Sequence, residues 1–402
     1  MNPVAESNDS IYLNSVGVCN AMGQGREEIA KNLIEKKSPG MGEKYFEICQ
    51  KSFFVGEVWG ALPVIPEALN QYRCRNNRLA LSAALQIEAD IKNAINTYGC
   101  DRVAVVMGSS TSGIAETELA IHTLKLRGTL PADYEYEQQE IGATAAFLSD
   151  YFGLDGPAYS ISTACSSSGK VFASARGLIQ LGLVDVVLVG GADSLCEMTV
   201  NGFSSLEATS SQRCNPYSKN RNGINIGEGA AVFLMTREKS RVMLAGVGES
   251  ADAHHMSAPD PSGSGAKQAM KAALEDAGLQ AKDIGYINLH GTATKLNDAM
   301  ESLAVNSLFK HRVPCSSTKA LTGHSLGAAG IIEAAICWLV LNDFNGQHIP
   351  VHVFDSVIDP EIASINLSDG KRLIPAIQYC MSNSFAFGGN NVSVILGRGI
   401  DD

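Results

Sequence analysis

Two periodicities of hydrophobic and polar residues trade places along this chain. "RLALSAALQIEADIKNAI" (78–95) spaces its apolar residues for one amphipathic helix, and "RVAVVMGSS" (102–110) follows as an apolar run of strand length. The second half repeats the pair, with "SGAKQAMKAALEDAGL" (264–279) leading to "IGYINLHGT" (284–292). A longer correspondence joins "GPAYSISTACSSSGKVFASARGLIQLG" (156–182) to "VPCSSTKALTGHSLGAAGIIEAAICWLVL" (313–341), each a strand, a turn of small residues and a helix. "VDVVLVGGAD" and "GEGAAVFLMT" then answer to "QYCMSNSFAFGGN" and "NVSVILGRG". The chain therefore reads as a duplicated unit of alternating strands and helices, residues 1–245 and 246–402, with mostly parallel, buried sheets. The segments 128–141 and 207–229 read as loops decorating the first half.

In this duplication Cys165 and His324 occupy equivalent corners. The helix after His324, "GAAGIIEAAICWLVL", is apolar on nearly every face and holds a single charge, Glu333. Such helices belong between two sheets, where Gly and Ala permit close approach and both N-termini point at one site.

Composition narrows the class. The chain has 402 residues, 45% hydrophobic and 18% charged, with 39 glycines, which fits one large domain or two fused halves. No apolar run is long enough to span a bilayer, and "MNPVAESNDS" lacks the pattern of a signal peptide, so a cytoplasmic protein is expected. Ten cysteines without CxxC pairs argue for reduced thiols, with neither a disulfide framework nor a metal site. A net charge of −11 argues against nucleic acid or an anionic membrane as partner. The local cluster "YRCRNNR" (Arg73, Arg75, Arg78) either meets an acidic protein or is a solvated helix start.

Where a strand turns into a helix, orphan N–H groups and the helix dipole favour an anion, and thiols there have pKa values lowered from ~8.5 to ~3.5–7.5. Cys165 reads as such a nucleophile, or alternatively as a small buried hydrophobe. His290 ends the strand "YINLHGTAT", where ligand sites of parallel sheets gather, and His324 opens the buried helix with Lys319 shortly before it. Each histidine alone reads as structural, but with Cys165 they form a constellation. A thiol can accept an acyl group, and neutral imidazoles can donate hydrogen bonds to an oxyanion. A competing motif, "GHSLG" (323–327), matches a nucleophile elbow with Ser325 as nucleophile, Asp343 or Asp355 as acid and His348 or His352 as base.

"TACSSS", "LHGTAT", "STKALTGHSLGAAG" and "NSFAFGGNN" together resemble the active-site signatures of the elongating β-ketoacyl-acyl-carrier-protein synthases. The resemblance implies a thiolase-like fold, two βαβαβ halves in a five-layered α-β-α-β-α sandwich. It implies that Cys165 takes an acyl chain from the phosphopantetheine of an acyl carrier protein. His290 and His324 then hold a malonyl thioester as it decarboxylates, and the resulting enolate attacks the acyl group. By the same resemblance, backbone N–H groups of Cys165 and Phe387 form the oxyanion hole, and Lys319 and Glu301 support the site or simply pair with each other. Thr292 and Thr294 touch the pantetheine arm, Phe385 and Gly388 border the substrate, and Thr111 limits acyl length. Neither metal nor organic cofactor is implied.

Departures from the family pattern concern the substrate. "HGTATKLND" carries Lys295 and Asn297 where proline and glycine are usual, "FAFGG" carries Ala386 for glycine, and "RNGIN" carries Asn222, Ile224 and Asn225. They imply a specialised aryl-polyene or polyketide-type synthase. A homodimer is expected, or else a heterodimer in which this chain is the active member beside a chain-length-factor-like subunit. Arg73, Arg75 and Arg213 are the expected carrier-docking residues. A noncatalytic carrier-binding subunit is the remaining alternative.

Overall fold

The computed structural model describes residues 10–370 and 375–399. The first half opens with β1 (Tyr12–Asn20) and β2 (Gly23–Gln24), followed by α1 (Arg26–Glu35) and a hairpin of β3 (Met41–Phe46) and β4 (Lys51–Gly56). Next come α2 (Arg75–Leu85), α3 (Glu88–Tyr98), β5 (Val103–Gly108), α4 (Ile114–Arg127), α5 (Ala143–Phe152), β6 (Ala158–Ile161), α6 (Ser167–Gln180) and β7 (Val186–Asp193). The half closes with α7 (Glu197–Ser205) and β8 (Gly229–Thr236). The second half runs β9 (Val242–Ala251), α8 (Ser264–Asp276), β10 (Ile284–Asn288), α9 (Lys295–Phe309), β11 (Pro314–Ser316), α10 (Lys319–Thr322), α11 (Ala329–Asn342), β12 (Asn366–Leu367), β13 (Tyr379–Phe385) and β14 (Asn390–Arg398). Because β9 is continuous from Val242, we place the junction of the halves before that residue rather than after 245.

The strand orders show the duplication. The first half reads β6-β5-β7-β8-β1 and the second β11-β10-β13-β14-β9, with β12 added beyond β11. In each half three neighbouring strands are parallel and the next pairs antiparallel on both sides. The two sheets meet edge to edge at one pair, Tyr12 with Met243.

Alternation along the strands sorts the side chains into layers. Ala104, Val106, Val187 and Val189 face inward with Val394 and Leu396 of the other sheet, and α6 and α11 fill the space between them. Val103, Val105, Val186 and Leu188 face the opposite way, against α2 and α5. On the far side, Ile287, Met381 and Ile395 pack against α8 and α9. The result is a thiolase-like five-layered sandwich, matching the fold expected from the sequence. Among the described residues no helix is long and apolar enough to cross a membrane.

One predicted element divides. The segment 78–95 forms two helices because the Gln86 side chain accepts from Val18 N–H at 2.9 Å and donates to the Val18 carbonyl at 3.1 Å. It clasps β1 as a further strand would, and the chain turns there.

Every residue of α11 from Ala329 to Leu341 is buried. α11 crosses α6 closely enough that a Cβ at Gly330 would lie 2.7 Å from the backbone nitrogen of Gly169, and Ile331 N–H donates to Ser168 Oγ at 2.9 Å. Replacing Gly330 with alanine raises helix propensity by ~1 kcal/mol but forces the helices apart, an overpacking penalty of ~1–3 kcal/mol. Gly330→Ala is therefore expected to be destabilising overall in urea unfolding. A gain in stability would show that the crossing is loose.

Candidate active site

The first corner is built by strain and short hydroxyl contacts. Ala164, just before the nucleophile position, adopts φ 52°, a left-handed conformation uncommon for a residue with a Cβ. Ser167 Oγ accepts from Thr163 N–H at 2.9 Å and Ser166 Oγ donates to the Thr163 carbonyl at 2.8 Å. The chain thus turns sharply from β6 into α6 and leaves Cys165 at the turn, 5% exposed.

At the equivalent corner, the loop before β8 holds His324 by its backbone. His324 N–H donates to the Asn225 carbonyl at 2.7 Å, and the His324 carbonyl accepts from Gly227 N–H at 2.9 Å. That loop is fixed by Glu228, wholly buried, which accepts from Val58 N–H at 2.9 Å and Leu195 N–H at 3.2 Å and pairs with Arg75. Asp193, also wholly buried, joins the corners. It accepts from Ser109 and Thr111 hydroxyls and, from the turn after His324, Ala328 N–H at 3.2 Å. Sequence reasoning missed Glu228 and Asp193, whose only signal is an acid set among small residues beside a strand.

These supports bring the three expected groups together. Cys165 Sγ lies 3.1 Å from His324 Nε2. The His290 and His324 rings stand edge to face at 5.2 Å, and one ligand-type atom from each of Cys165, His290 and His324 lies within 4.8 Å of the others. Lys319 donates to the His290 carbonyl and pairs with Glu333, both side chains being almost wholly buried. Glu301 instead accepts from His290 N–H at 2.8 Å, Gly291 N–H at 2.7 Å and Tyr217 Oη at 2.6 Å. The expected alternative of a Lys319–Glu301 pair is thus corrected: Glu333 takes the lysine, and Glu301 fixes the strand end that carries His290.

Burial pushes the Cys165 thiol up to about 12, outweighing the Lys319 charge and the Phe387 and Cys165 N–H groups that pull it down. This corrects the expectation of a lowered thiol pKa, because desolvation at this corner exceeds the helix-terminus effect. Burial, Lys319 and His324 hold His290 well below its ordinary range, and burial and Lys319 do the same for His324. Both imidazoles are therefore neutral. Burial raises Glu333 to about 7, although Lys319 pulls it down.

A cavity of about 570 Å³ reaches this site, and its wall includes Cys165, His290, His324, Thr292, Thr294, Phe385 and Phe387. Phe203 belongs to the same wall and packs on Phe387 at 5.4 Å, a neighbour the sequence did not point to. Two expected substrate residues lie elsewhere. The Thr111 hydroxyl is committed to Asp193, and Gly388 turns at φ 80° with its N–H on the Met256 carbonyl. Arg75 is likewise corrected as a docking residue, since its guanidinium is spent on Glu228. Arg213 donates to the Ala320 carbonyl at 2.9 Å, and Arg73 is exposed. Two of the partners expected for Ser325 are engaged elsewhere. His352 is held between Ser317 N–H and the Pro216 carbonyl, and Asp355 takes Ser218 and Asn220.

Two outcomes follow from these contacts. Iodoacetamide modification of resting Cys165 is expected to quicken about tenfold per pH unit from roughly 7 to 9, as thiolate forms. A plateau near neutral pH would mean the thiolate is already stabilised. Arg75→Ala strands a buried carboxylate and is expected to destabilise the fold by up to about 3–5 kcal/mol in denaturant unfolding. An unchanged midpoint with weakened carrier binding would return Arg75 to the docking surface.

Residues 75–241 match the family described as Beta-ketoacyl synthase, N-terminal domain, and residues 242–350 match Beta-ketoacyl synthase, C-terminal domain. The 3-oxoacyl-[acyl-carrier-protein] synthase 2 of Staphylococcus aureus is 32% identical over 340 residues, 80% of this chain and 83% of its own. Its counterpart in Vibrio cholerae is 31% identical over 347 residues, 79% and 81% of the two chains. Among solved structures, a chain of the complex of ketosynthase ApeO with its chain length factor ApeC from Xenorhabdus doucetiae is 46% identical. It superposes with a TM-score of 0.93, covering 97% of this chain and 98% of that one. A beta-ketoacyl synthase from Burkholderia phymatum STM815 is 28% identical with a TM-score of 0.85, covering 97% and 99%. Matched along both halves and in fold, the chain belongs to the β-ketoacyl synthase family of condensing enzymes.

Proposed function

We propose that Cys165 carries the growing acyl chain while His290 and His324 stabilise the enolate of a malonyl thioester. The observation that carries this reading is the convergence of one thiol and two neutral imidazoles at the end of a single cavity. In the first half-reaction, Cys165 sulfur attacks the thioester carbonyl of an acyl carrier protein. The oxyanion sits against the N–H groups of Cys165 and Phe387, which already face the sulfur. The intermediate collapses, the pantetheine sulfur leaves, and the thiol proton ends on it. His324, 3.1 Å from Sγ, is placed to carry that proton.

In the second half-reaction the carboxylate–carbon bond of the malonyl group breaks, carbon dioxide leaves, and the electron pair becomes an enolate. Its oxygen accepts hydrogen bonds from His290 and His324. The enolate carbon attacks the acyl carbonyl on Cys165, and collapse expels the thiolate, which takes a proton from solvent. The chain is two carbons longer. Decarboxylation supplies the driving force, so the sequence of steps needs no metal or organic cofactor.

The substrate class follows from the rim. Lys295 is exposed at the cavity mouth and Asn297 is buried in its wall, which sets this mouth apart from the usual proline and glycine. With the 46% identity to a chain of the complex of ketosynthase ApeO and chain length factor ApeC, this supports a specialised synthase, for which the sequence departures suggest a polyene- or polyketide-type substrate. The same likeness supports pairing with a chain-length-factor-like subunit, in which this chain is the active member. An unpaired sheet edge fits that pairing. β6 ends the first-half sheet. Arg73 is the remaining candidate among the docking arginines for an acidic carrier.

Incubation with an acyl-loaded carrier is expected to place the acyl mass on Cys165. His290→Ala should retain much of that acylation while losing condensation by about 10²–10³-fold, the worth of one preorganised donor. Equal loss of both half-reactions would remove His290 from the enolate step, and an adduct on Ser325 would overturn the assignment altogether.

A further inference from the structure

We infer that Cys165, His290 and His324 also form a reversible binding site for a zinc-class divalent ion, which shuts the enzyme by occupying its nucleophile. The inference rests on donor type and geometry and does not depend on which carrier or acyl chain the enzyme uses. One sulfur and two imidazole nitrogens is a zinc donor set, and the three atoms lie within 4.8 Å of one another. Tetrahedral zinc, with bonds of ~2.0–2.1 Å to nitrogen and ~2.3 Å to sulfur, asks for donors about 3.5 Å apart. The Sγ–Nε2 pair at 3.1 Å opens slightly and the widest pair closes by about an ångström to meet that value.

The rings are able to make that adjustment. Nδ1 of His290 and Nδ1 of His324 are both buried without a hydrogen-bond partner, so no ring hydrogen bond at Nδ1 is broken when either imidazole turns. The same lack of supporting partners weakens a metal site by roughly 10–100-fold compared with one whose histidines are held by carboxylates. Binding is therefore reversible, in contrast to a structural zinc. The charged groups around the imidazoles are accounted for: the Lys319 ammonium is paired with Glu333, and Glu301 is engaged by Tyr217 and two backbone N–H groups. With one sulfur and two ring nitrogens as the converging donors and no carboxylate among them, the set suits zinc better than hard cations such as magnesium and calcium.

All three donors line the cavity, which gives the ion its route in and leaves a fourth position for water. On binding, the Cys165 thiol gives its proton to the buffer and a sulfur lone pair forms the bond to the metal, with no change in oxidation state. An acylated Cys165 offers only a thioester sulfur, a poor donor. The free enzyme is thus sensitive to the ion and the acyl-enzyme is protected.

Zinc chloride and, as a spectroscopic probe, cobalt(II) chloride added to the purified protein test this directly. The expected result is one ion per chain, loss of Cys165 acylation that is restored by EDTA, and a thiolate-to-cobalt charge-transfer band. The band should be absent from Cys165→Ser and from wild-type protein alkylated at Cys165, and His290→Ala should weaken binding about tenfold or more. The alkylated wild-type protein keeps the test valid if a variant fails to fold. No retained metal, a band that survives alkylation of Cys165, or equal inhibition of the free and acylated enzyme would each overturn the proposal.

Discussion

The site depends on how closely α6 and α11 cross. Neither helix carries a bulky residue where they meet. Gly169 and Gly330 bring backbone against backbone, and the Ser168 hydroxyl takes the Ile331 N–H across the gap. Each helix begins at the corner that bears a reactive side chain, so the axial separation at the crossing sets the separation of Cys165 and His324. A helix pair spaced by leucines would sit at 8–10 Å between axes with its N-termini further apart. The sheets then act as clamps: each buries the face of both helices that the other leaves bare.

Within this apolar shell lies one pair of buried opposite charges, Lys319 and Glu333. Such a pair stabilises little, because desolvating two ions offsets most of their attraction. Its value here is electrostatic direction. Lys319 lies near enough to depress both imidazoles and to pull down the thiol, so it favours the thiolate and any oxyanion while disfavouring imidazolium. Burial acts oppositely on the sulfur and wins in the resting enzyme. The protein accordingly holds a guarded thiol. Negative charge at this corner is tolerated when a substrate carbonyl disperses it towards the Cys165 and Phe387 N–H groups, and not before.

Much of this was legible in the sequence, for a specific reason. The duplication repeats strand-turn-helix units whose turns are rich in Gly, Ala and Ser, so the corners that meet in space are alike in composition. The alternation of strands and helices, the buried middle helices and the meeting of Cys165 with His324 follow from that, whereas His290 was read from its place at a strand end and the five-layered sandwich from the resemblance. What escaped was set by contacts between distant segments. The break at Gln86 depends on Val18 in another strand, and the fate of Arg75 depends on Glu228. Glu333 was visible as the single charge in an apolar helix, yet its partner could be chosen only once α10 was seen folded beside α11. The thiol's resting state escaped for a different reason. Position at a helix N-terminus can be read from local sequence, whereas depth of burial is a property of the whole fold.

The two corners also differ in what lies behind them. His324 is backed by the chain's own interior, clamped by the 225–228 loop and followed by a helix buried on all sides. Cys165 follows β6, the edge strand of its sheet. An open edge presents unpaired N–H and C=O groups and is an incomplete surface. A subunit seated there would bear on the strand that leads directly into the strained Ala164 turn, and so on the aim of the nucleophile. The imidazole side of the reaction would be untouched by such a contact. The His324 corner is therefore closed by the chain's own interior, while the Cys165 corner takes its position from an edge strand and the strained turn that follows it.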